Sequence, residues 1–117
     1  MALHRTILFV SDLPRMASFY TETLRCQPVA HTRTDTWAEF DGGAFALHAI
    51  PRELKCDLEA PATPRESSPV KLSFGVDDVA TELARLEALG VPMLPRSWGT
   101  RDCVDPEGNV FSLCAAR

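Results

Sequence analysis

Three aromatic side chains are candidates for a wall that binds a flat ligand: Phe9, Trp37 and Trp98. Aromatic rings bind other flat rings by offset stacking and bind cations at the π-face. Trp98 lies in a Ser97-Trp98-Gly99 corner, where an exposed ring is typical of contact with a ligand or a second copy of the chain. For Trp37, core packing and ligand contact are equal alternatives. These residues predict a small-molecule ligand, and one that carries an aromatic ring.

Two permanent cations form a second candidate group. Arg5 and Lys71 are 66 positions apart. Two cations that approach each other can bind a carboxylate or a phosphate. Alternatively, each cation pairs with a neighbouring acid such as Glu39 or Asp102, or extends its charged end into solvent. Both alternatives stay open at the level of the sequence.

Ser112, Cys114 and His48 complete the candidate ligand-binding residues. Either His48 or Ser112 could lie beside the two cations and contact the same anion. Cys114 has the strand parity of Ser112, and His48 precedes Cys114 by the same 66 positions. A cysteine becomes a nucleophile only beside a base or a cation, so we assign Cys114 to ligand contact and assign no catalytic residue.

Composition excludes several classes of function. The chain has 117 residues, with 12 Lys and Arg against 16 Asp and Glu, so its formal charge is −4. This length suits a single domain, 1–117, and no basic run offers a stripe to nucleic acid. No apolar run approaches the roughly 18 residues of a membrane span, and no secretory signal is found, so we expect a cytoplasmic protein without a membrane partner. The four cysteines form no C-x-x-C pair, which predicts free thiols.

The candidate residues are divided between two similar halves of the chain. A shift of 66 positions superposes identical residues at several places: Val10 and Val76, Asp12 and Asp78, Gly42 and Gly108, Phe45 and Phe111, Leu47 and Leu113, Ala49 and Ala115. These identities fall at strand ends, at a helix cap and in a turn, which indicates an internal β-α-β-β-β repeat. Repeat one spans 1–50, a proline-rich linker spans 51–69, and repeat two spans 70–117.

Each repeat is expected to contain a helix between its first and second strands. Asp12 and Asp78 are typical N-caps, Pro14 suits the first turn, and Gly90 suits the end of the second helix. The strands are expected at 8–10, 29–33, 37–40 and 44–50 in repeat one, and at 70–76, 93–94, 100–104 and 109–115 in repeat two. Tight turns are expected at 41–43 and 105–109.

Strand alternation predicts which side chains face the helices. Phe45, Leu47, Phe111 and Leu113 are expected to pack on the helices, and the opposite parity is expected to line a concave side. The sequence therefore predicts an α+β fold in which two βαβββ repeats form a curled sheet cup with the helices outside. A cup lined by paired strands is a natural ligand cavity. Open sheet edges predict that two chains pair as a homodimer.

The order and spacing of three motifs carry a resemblance to a known family. The motifs are Val10-Ser11-Asp12-Leu13 with Phe19-Tyr20, Val76-Asp77-Asp78-Val79 with Leu89-Gly90-Val91, and Asp105-Pro106-Glu107-Gly108-Asn109. Together they resemble the vicinal oxygen chelate superfamily, which contains glyoxalase I, extradiol dioxygenases, fosfomycin-resistance enzymes and bleomycin-resistance proteins. Arg25 stands where the first unit of this superfamily often has a glycine after its helix.

The resemblance also implies where a metal would bind. Metal enzymes of the superfamily take two ligands from each unit, and those positions correspond in this chain to Arg5, Ala46, Lys71 and Ser112. A register shift of two would replace Ala46 by His48. Arginine and lysine are cationic donors without an acceptor, so they repel a divalent ion. The resemblance thus implies that the glyoxalase-type metal site is absent, and we expect no metal and no cofactor.

A narrower resemblance concerns the segment from Trp98 to Asn109. Trp98-Gly99-Thr100-Arg101-Asp102 before the Asp105-Asn109 turn is similar to the bleomycin-resistance branch, although Cys103 replaces the usual aromatic residue. This branch implies a metal-independent, homodimeric protein that binds a small molecule and sequesters a drug without chemistry. The alternative is an enzyme of the superfamily, a lyase, isomerase or dioxygenase, with an atypical active site.

Overall fold

The computed structural model describes residues 1–54 and 63–116. The chain divides into two compact units, Met1–Ala60 and Pro61–Arg117, called unit 1 and unit 2 below. Their division falls inside the predicted linker, of which a part, including Cys56, lies outside the described residues. No helix in the described ranges is long and apolar enough to cross a membrane.

Unit 1 contains a three-stranded mixed sheet and one α-helix in its described part. β1 (Thr6–Val10) is parallel to β3 (Phe45–Ala49), and β2 (Trp37–Phe40) is antiparallel to β3. The strand order is therefore β1–β3–β2. After β1 comes α1 (Leu13–Ser18), which continues as a π-helical turn, Phe19–Thr23. Because β3 is the central strand, residues before β1 and on β2 reach the same face of the sheet.

Over residues 63–116, unit 2 contains a four-stranded mixed sheet and one helix. Its elements are β4 (Leu72–Val76), α2 (Val79–Ala88), β5 (Met93–Pro95), β6 (Arg101–Val104) and β7 (Val110–Ala115). β4 is parallel to β7, the other pairs are antiparallel, and the strand order is β4–β7–β6–β5. This is the β-α-β-β-β order that the sequence predicts. The predicted α+β fold is confirmed, with sheets of three and four strands among the described residues and no closed barrel.

The pairing registers of the two units follow the 66-residue offset, although the described part of unit 1 has two strands after its helix where the predicted repeat has three. In unit 1, Thr6 of β1 lies opposite Phe45 of β3. In unit 2, Leu72 of β4 lies opposite Phe111 of β7. Both residues of the second pair follow those of the first by 66 positions, the offset found in the sequence. The repeat therefore extends from residue identities to the hydrogen-bonded ladder itself.

The predicted N-caps and the predicted end of the second helix are confirmed. The Oδ1 atom of Asp12 accepts from the backbone N–H of Arg15 at 3.1 Å, and that of Asp78 accepts from Thr81 at 3.0 Å. Each carboxylate thereby satisfies one of the backbone donors that a helix N-terminus leaves without a partner. After α2, Gly90 has a φ of +88°. At the matching place after the π-helical turn, Arg25 adopts a φ of +60° despite its side chain.

Apolar side chains join each helix to its sheet. Tyr20 packs edge-on against Phe45 of β3, with ring centroids 5.1 Å apart, and contacts Phe40 of β2. In unit 2, Leu86 of α2 and Phe111 of β7 are both buried. The prediction that the Phe45 and Phe111 side of each sheet packs in the core is confirmed. One side of each sheet is thus committed to the core.

The predicted strand at 29–33 is wrong. Ala30–Thr32 forms a short 3-10 turn, closed by the backbone N–H of Arg33 on the carbonyl of Ala30. The Thr32 hydroxyl donates to the carbonyl of Val29 at 3.2 Å. Only an isolated bridge between Pro28 and Phe40 stands where a further strand was expected. Local side-chain hydrogen bonds of this kind compete with the ladder of a sheet.

Candidate functional site

All four predicted site residues of unit 1 lie on the side of the sheet that points away from α1. Alternate residues of a strand share a face, so side chains in register with Ala46 and His48 lie together. We call this side the distal face and define it by its residues: Arg5, Ile7, Phe9, Trp37, Glu39, Ala46 and His48. Phe9 is 50% exposed on this face, which makes its ring available to a ligand.

Four side chains of the distal face follow one another in contact. The guanidinium Cζ of Arg5 lies 5.4 Å from the centroid of the Trp37 ring. The Trp37 and His48 rings meet edge-on with centroids 5.5 Å apart, and the His48 and Phe9 centroids are 5.9 Å apart. These separations are typical of attractive ring contacts and cation–π contacts. We call this set the aromatic row: Arg5, Trp37, His48 and Phe9.

Glu39 holds one end of the aromatic row. Its Oε2 atom accepts from the indole Nε1–H of Trp37 at 2.7 Å, and its Oε1 atom accepts from Nη2 of Arg5 at 3.3 Å. The hydrogen bond from Trp37 lowers the pKa of the Glu39 carboxyl below its ordinary value, and the charge of Arg5 acts in the same direction, against the effect of burial. Glu39 therefore stays ionised while its two oxygens fix the orientation of two neighbours.

A glycine allows Arg5 and Glu39 to meet. Nε of Arg5 donates to the carbonyl oxygen of Gly43 at 2.6 Å. Gly43 has a φ of +97°, and a Cβ atom added there would lie 2.9 Å from Oε1 of Glu39 and 3.1 Å from Nη2 of Arg5. A larger residue would therefore be strained in its backbone and would clash with the ion pair. The turn between β2 and β3 is thus part of the site.

Unit 2 holds a related cluster around a buried acid. The Asp102 side chain is 3% exposed, and its Oδ2 atom accepts from Nζ of Lys71 at 3.2 Å and from Nε of Arg96 at 2.9 Å. Nη1 of Arg96 also contacts Oε1 of Glu66 at 2.5 Å. The hydrogen bonds to Glu66 and Asp102 raise the pKa of Arg96. Two cations therefore share one buried carboxylate, as a buried charge requires.

The ion pairs of the two units occupy corresponding places. Lys71 follows Arg5 by 66 positions, and each precedes the first strand of its unit. Glu39 and Asp102 lie on the strand that pairs antiparallel with β3 or with β7. Of the two alternatives that the sequence left open, the structure contains the pairing of each cation with a neighbouring acid.

Trp98 lies in the turn between β5 and β6 and is 66% exposed. Its ring centroid is 5.9 Å from Nζ of Lys71 and 5.8 Å from Cζ of Arg96. Gly99, with a φ of +88°, and a hydrogen bond from the Arg96 N–H to the Thr100 carbonyl shape the turn. The indole is therefore exposed and held in place by two cations at the same time.

The remaining candidates lie on β7. The hydroxyl of Ser112 donates to the hydroxyl of Ser73 at 2.9 Å. Cys114 is an exposed free thiol, whereas Cys26 and Cys103 are buried. Burial raises the pKa of Cys26 to about 12 and that of Cys103 to about 11, and a nearby acid adds to each effect. The two buried thiols therefore remain protonated at neutral pH and are suited to packing.

Comparison with known proteins identifies the family of the chain. Residues 5–114 match the family described as the glyoxalase-like domain. The chain belongs to this family. No curated protein matches it at a significant level. The predicted membership of the vicinal oxygen chelate superfamily is thereby confirmed.

Solved structures similar to this glyoxalase-like domain include proteins with different roles. A protein of unknown function from Agrobacterium tumefaciens is 25% identical, with a TM-score of 0.73 over 100% of this chain and 95% of that one. An antibiotic-binding protein from a Streptomyces species is 22% identical, with a TM-score of 0.65 over 100% and 97%. The trypanothione-dependent glyoxalase I of Leishmania major is 20% identical, with a TM-score of 0.66 over 98% and 86%. The fold is thus shared by a binding protein and an enzyme.

The residues of this glyoxalase-like domain do not fit the metal that its superfamily implies. Arg5 and Lys71 offer no lone pair and are already paired with carboxylates. Ala46 has no donor atom, and the hydroxyl of Ser112 is hydrogen-bonded to Ser73. Within residues 1–54 and 63–116, no group of three or more His, Cys, Asp or Glu side chains is arranged to hold a metal ion. The four corresponding positions therefore do not form a site for a divalent ion.

The structure joins some predicted residues and adds others. Arg5, Trp37, His48 and Phe9 come together in unit 1, and Lys71 and Trp98 come together in unit 2. The residues missed as site members are Arg96 and Gly43, and Glu39 and Asp102 were considered only as alternative partners. The sequence contains a pattern that points to Glu39, because Glu39 follows Trp37 by two positions and alternate residues of a strand share a face of the sheet. No comparable pattern pointed to Arg96, because a turn has no fixed period.

Proposed function

We propose that this glyoxalase-like domain is a metal-independent small-molecule-binding protein that takes a flat aromatic ligand on the aromatic row and sequesters it. The half-exposed ring of Phe9, in contact with His48 at 5.9 Å, carries the proposal. A ring that faces solvent in line with other rings can stack on a flat ligand without rearrangement of the core. Rigid rings also lose little side-chain freedom on binding.

The area of a flat aromatic ligand sets the affinity expected for the row. A ligand that removes about 150 Å² of apolar surface from water gains roughly 4 kcal/mol at about 25 cal/mol per Å². That contribution corresponds to a dissociation constant on the order of 1 mM for a simple aromatic probe. A natural ligand with a larger ring system, or with contacts from a second surface, would bind more tightly.

The four chain positions that correspond to metal ligands support binding without a metal. Arg5 is held by Glu39 and by the carbonyl of Gly43, so its guanidinium fixes an indole ring in place of an ion. In unit 2, Lys71 and Trp98, with Ser112 and Cys114, are proposed as a second set of ligand contacts. The antibiotic-binding protein from Streptomyces has a similar fold, and this likeness supports a small-molecule-binding role.

The test is a titration of the full chain with naphthalene-2-methanol, followed through the two indole N–H signals in a proton–nitrogen NMR spectrum. The Trp98→Phe variant assigns the signal of Trp37 by elimination. We expect the Trp37 signal to shift in a saturable manner, with the same dissociation constant before and after treatment with a chelator. The protein as purified should carry no stoichiometric divalent metal by elemental analysis.

Two results would overturn the proposal. One is about one equivalent of zinc, nickel, manganese or iron per chain together with loss of binding after chelation, which would favour the enzyme alternative. The other is the absence of any shift of the Trp37 signal up to the solubility limit of the probe.

A further inference from the structure

The charged groups of the distal face neutralise each other. Arg5 and Glu39 form an ion pair whose side chains are 25% and 12% exposed. The two oxygens of Glu39 accept from Arg5 and from the indole of Trp37. The aromatic row therefore lies beside a pair with no net charge, in which the acid is already engaged by two donors.

A cationic ligand would meet two obstacles on this face. The Trp37 ring already has the guanidinium of Arg5 at 5.4 Å, so its attraction for a cation is used within the protein. A second cation on that ring would also be repelled by Arg5. The negative charge of Glu39, which would attract a cation, is already compensated by Arg5 at 3.3 Å.

An anionic ligand would meet the opposite obstacle. To reach Arg5 it must approach Glu39, whose carboxyl oxygen is 3.3 Å from the guanidinium. Like charges at such a distance repel each other, and water between them weakens the repulsion without removing it. By contrast, an uncharged oxygen acceptor adds no charge. A guanidinium has five N–H donors, and the contacts with Gly43 and Glu39 use Nε and Nη2.

From these contacts we infer that the distal face selects uncharged flat aromatic molecules that carry a carbonyl or hydroxyl oxygen, over cationic or anionic molecules with the same ring. The inference rests on the proposed binding function and adds the chemical class of the ligand. The aromatic row binds the ring, and the guanidinium of Arg5 donates to the oxygen. The ion pair of Arg5 and Glu39 disfavours the binding of charged ligands.

The experiment compares three probes that share one ring system: naphthalene-2-methanol, naphthalene-2-carboxylate and naphthalene-2-methylammonium. Each is titrated into the full chain at about pH 8, above the range in which histidines usually titrate. The Trp37 indole signal reports binding. We expect the uncharged probe to bind at least about tenfold more tightly than either charged probe at low salt, and the ratio to shrink as salt screens the charges.

Two variants should shift the selectivity in opposite directions. Glu39→Gln leaves Arg5 uncompensated, so the ratio of dissociation constants should change in favour of the carboxylate probe by about tenfold. Arg5→Gln leaves Glu39 uncompensated and should favour the ammonium probe. The control is Glu22→Gln, which removes the same charge from an exposed position beyond the distal face and should leave the ratios unchanged.

The outcomes separate this inference from the proposed function. If a charged probe binds at Trp37 as tightly as the uncharged one, or if Glu39→Gln and Arg5→Gln both leave the ratios unchanged, the selectivity is refuted while ligand binding stands. If none of the three probes shifts the Trp37 signal, the binding function and the inferred ligand class are both refuted.

Discussion

Truncation of Phe9 is the most direct way to separate a binding ring from a packing ring. A buried aromatic side chain removes roughly 200 Å² from water, and Phe9 is 50% exposed, so about half of that area contacts the protein. At about 25 cal/mol per Å², and with part of the contact kept by the alanine Cβ, Phe9→Ala should lower the free energy of unfolding by roughly 1–2 kcal/mol.

The matched control is Phe40→Ala. Phe40 is 1% exposed and packs against Tyr20 and Phe45 on the α1 side of the same sheet. Loss of a ring that is fully buried typically costs about 3–5 kcal/mol. In a chain of this size, each kcal/mol corresponds to a shift of roughly 3–6 °C in the midpoint of thermal unfolding. The two variants should therefore differ by about 10 °C.

Phe9→Ala should weaken ligand binding more than Phe40→Ala does, which is the reverse of their order in stability. Phe9→Ala should weaken the binding of naphthalene-2-methanol by about 5- to 30-fold, the ratio expected for loss of 1–2 kcal/mol of ring contact. Urea and thermal unfolding measure stability, and the Trp37 indole signal measures binding on the same samples. The reasoning is refuted if Phe9→Ala unfolds as readily as Phe40→Ala, or if it is stable and binds the probe like the unmodified chain.

Four further predictions follow from other parts of the structure. Trp98→Ala should lower the free energy of unfolding in urea by about 1 kcal/mol or less, because the ring is 66% exposed, and a loss near 3 kcal/mol would identify it as a packing residue. The stability that Glu39 contributes should be complete above its ordinary pKa of 4.5 and should be lost as the pH falls through its lowered pKa in the folded state. The free energy of unfolding of Glu39→Gln should therefore lack this part of the loss at acidic pH. In the folded protein a thiol reagent should label Cys114 rapidly and reach Cys26 and Cys103 only after unfolding, since these are buried with raised pKa values; rapid labelling of either would contradict the structure. We also expect a homodimer in solution, because β1 and β2 are the edge strands of the described sheet of unit 1. A monomer mass in light scattering at micromolar concentration would exclude the dimer.

The features that the sequence alone determined are those set by neighbours along the chain. The caps of Asp12 and Asp78 involve a backbone N–H three residues away, so residue type and position were enough to find them. The repeat was visible because identical residues recur at one offset, and the pairing of Thr6 with Phe45 and Leu72 with Phe111 follows that offset. Strand alternation likewise placed Phe45 in the core.

Other features depend on which strands are neighbours, and only the tertiary structure decided them. β3 lies between β1 and β2, which brings Arg5 beside Glu39 and Trp37 although more than 30 positions separate them in the chain. Periodicity indicates the face on which a side chain lies but not the partner that it meets there, so both alternatives for Arg5 and Lys71 remained open. The segment at 29–33 was misassigned because Ala30–Thr32 closes a 3-10 turn, in which the hydroxyl of Thr32 donates to the carbonyl of Val29. The balance between a local hydrogen bond and a sheet ladder depends on the neighbouring strand, which a linear pattern does not contain.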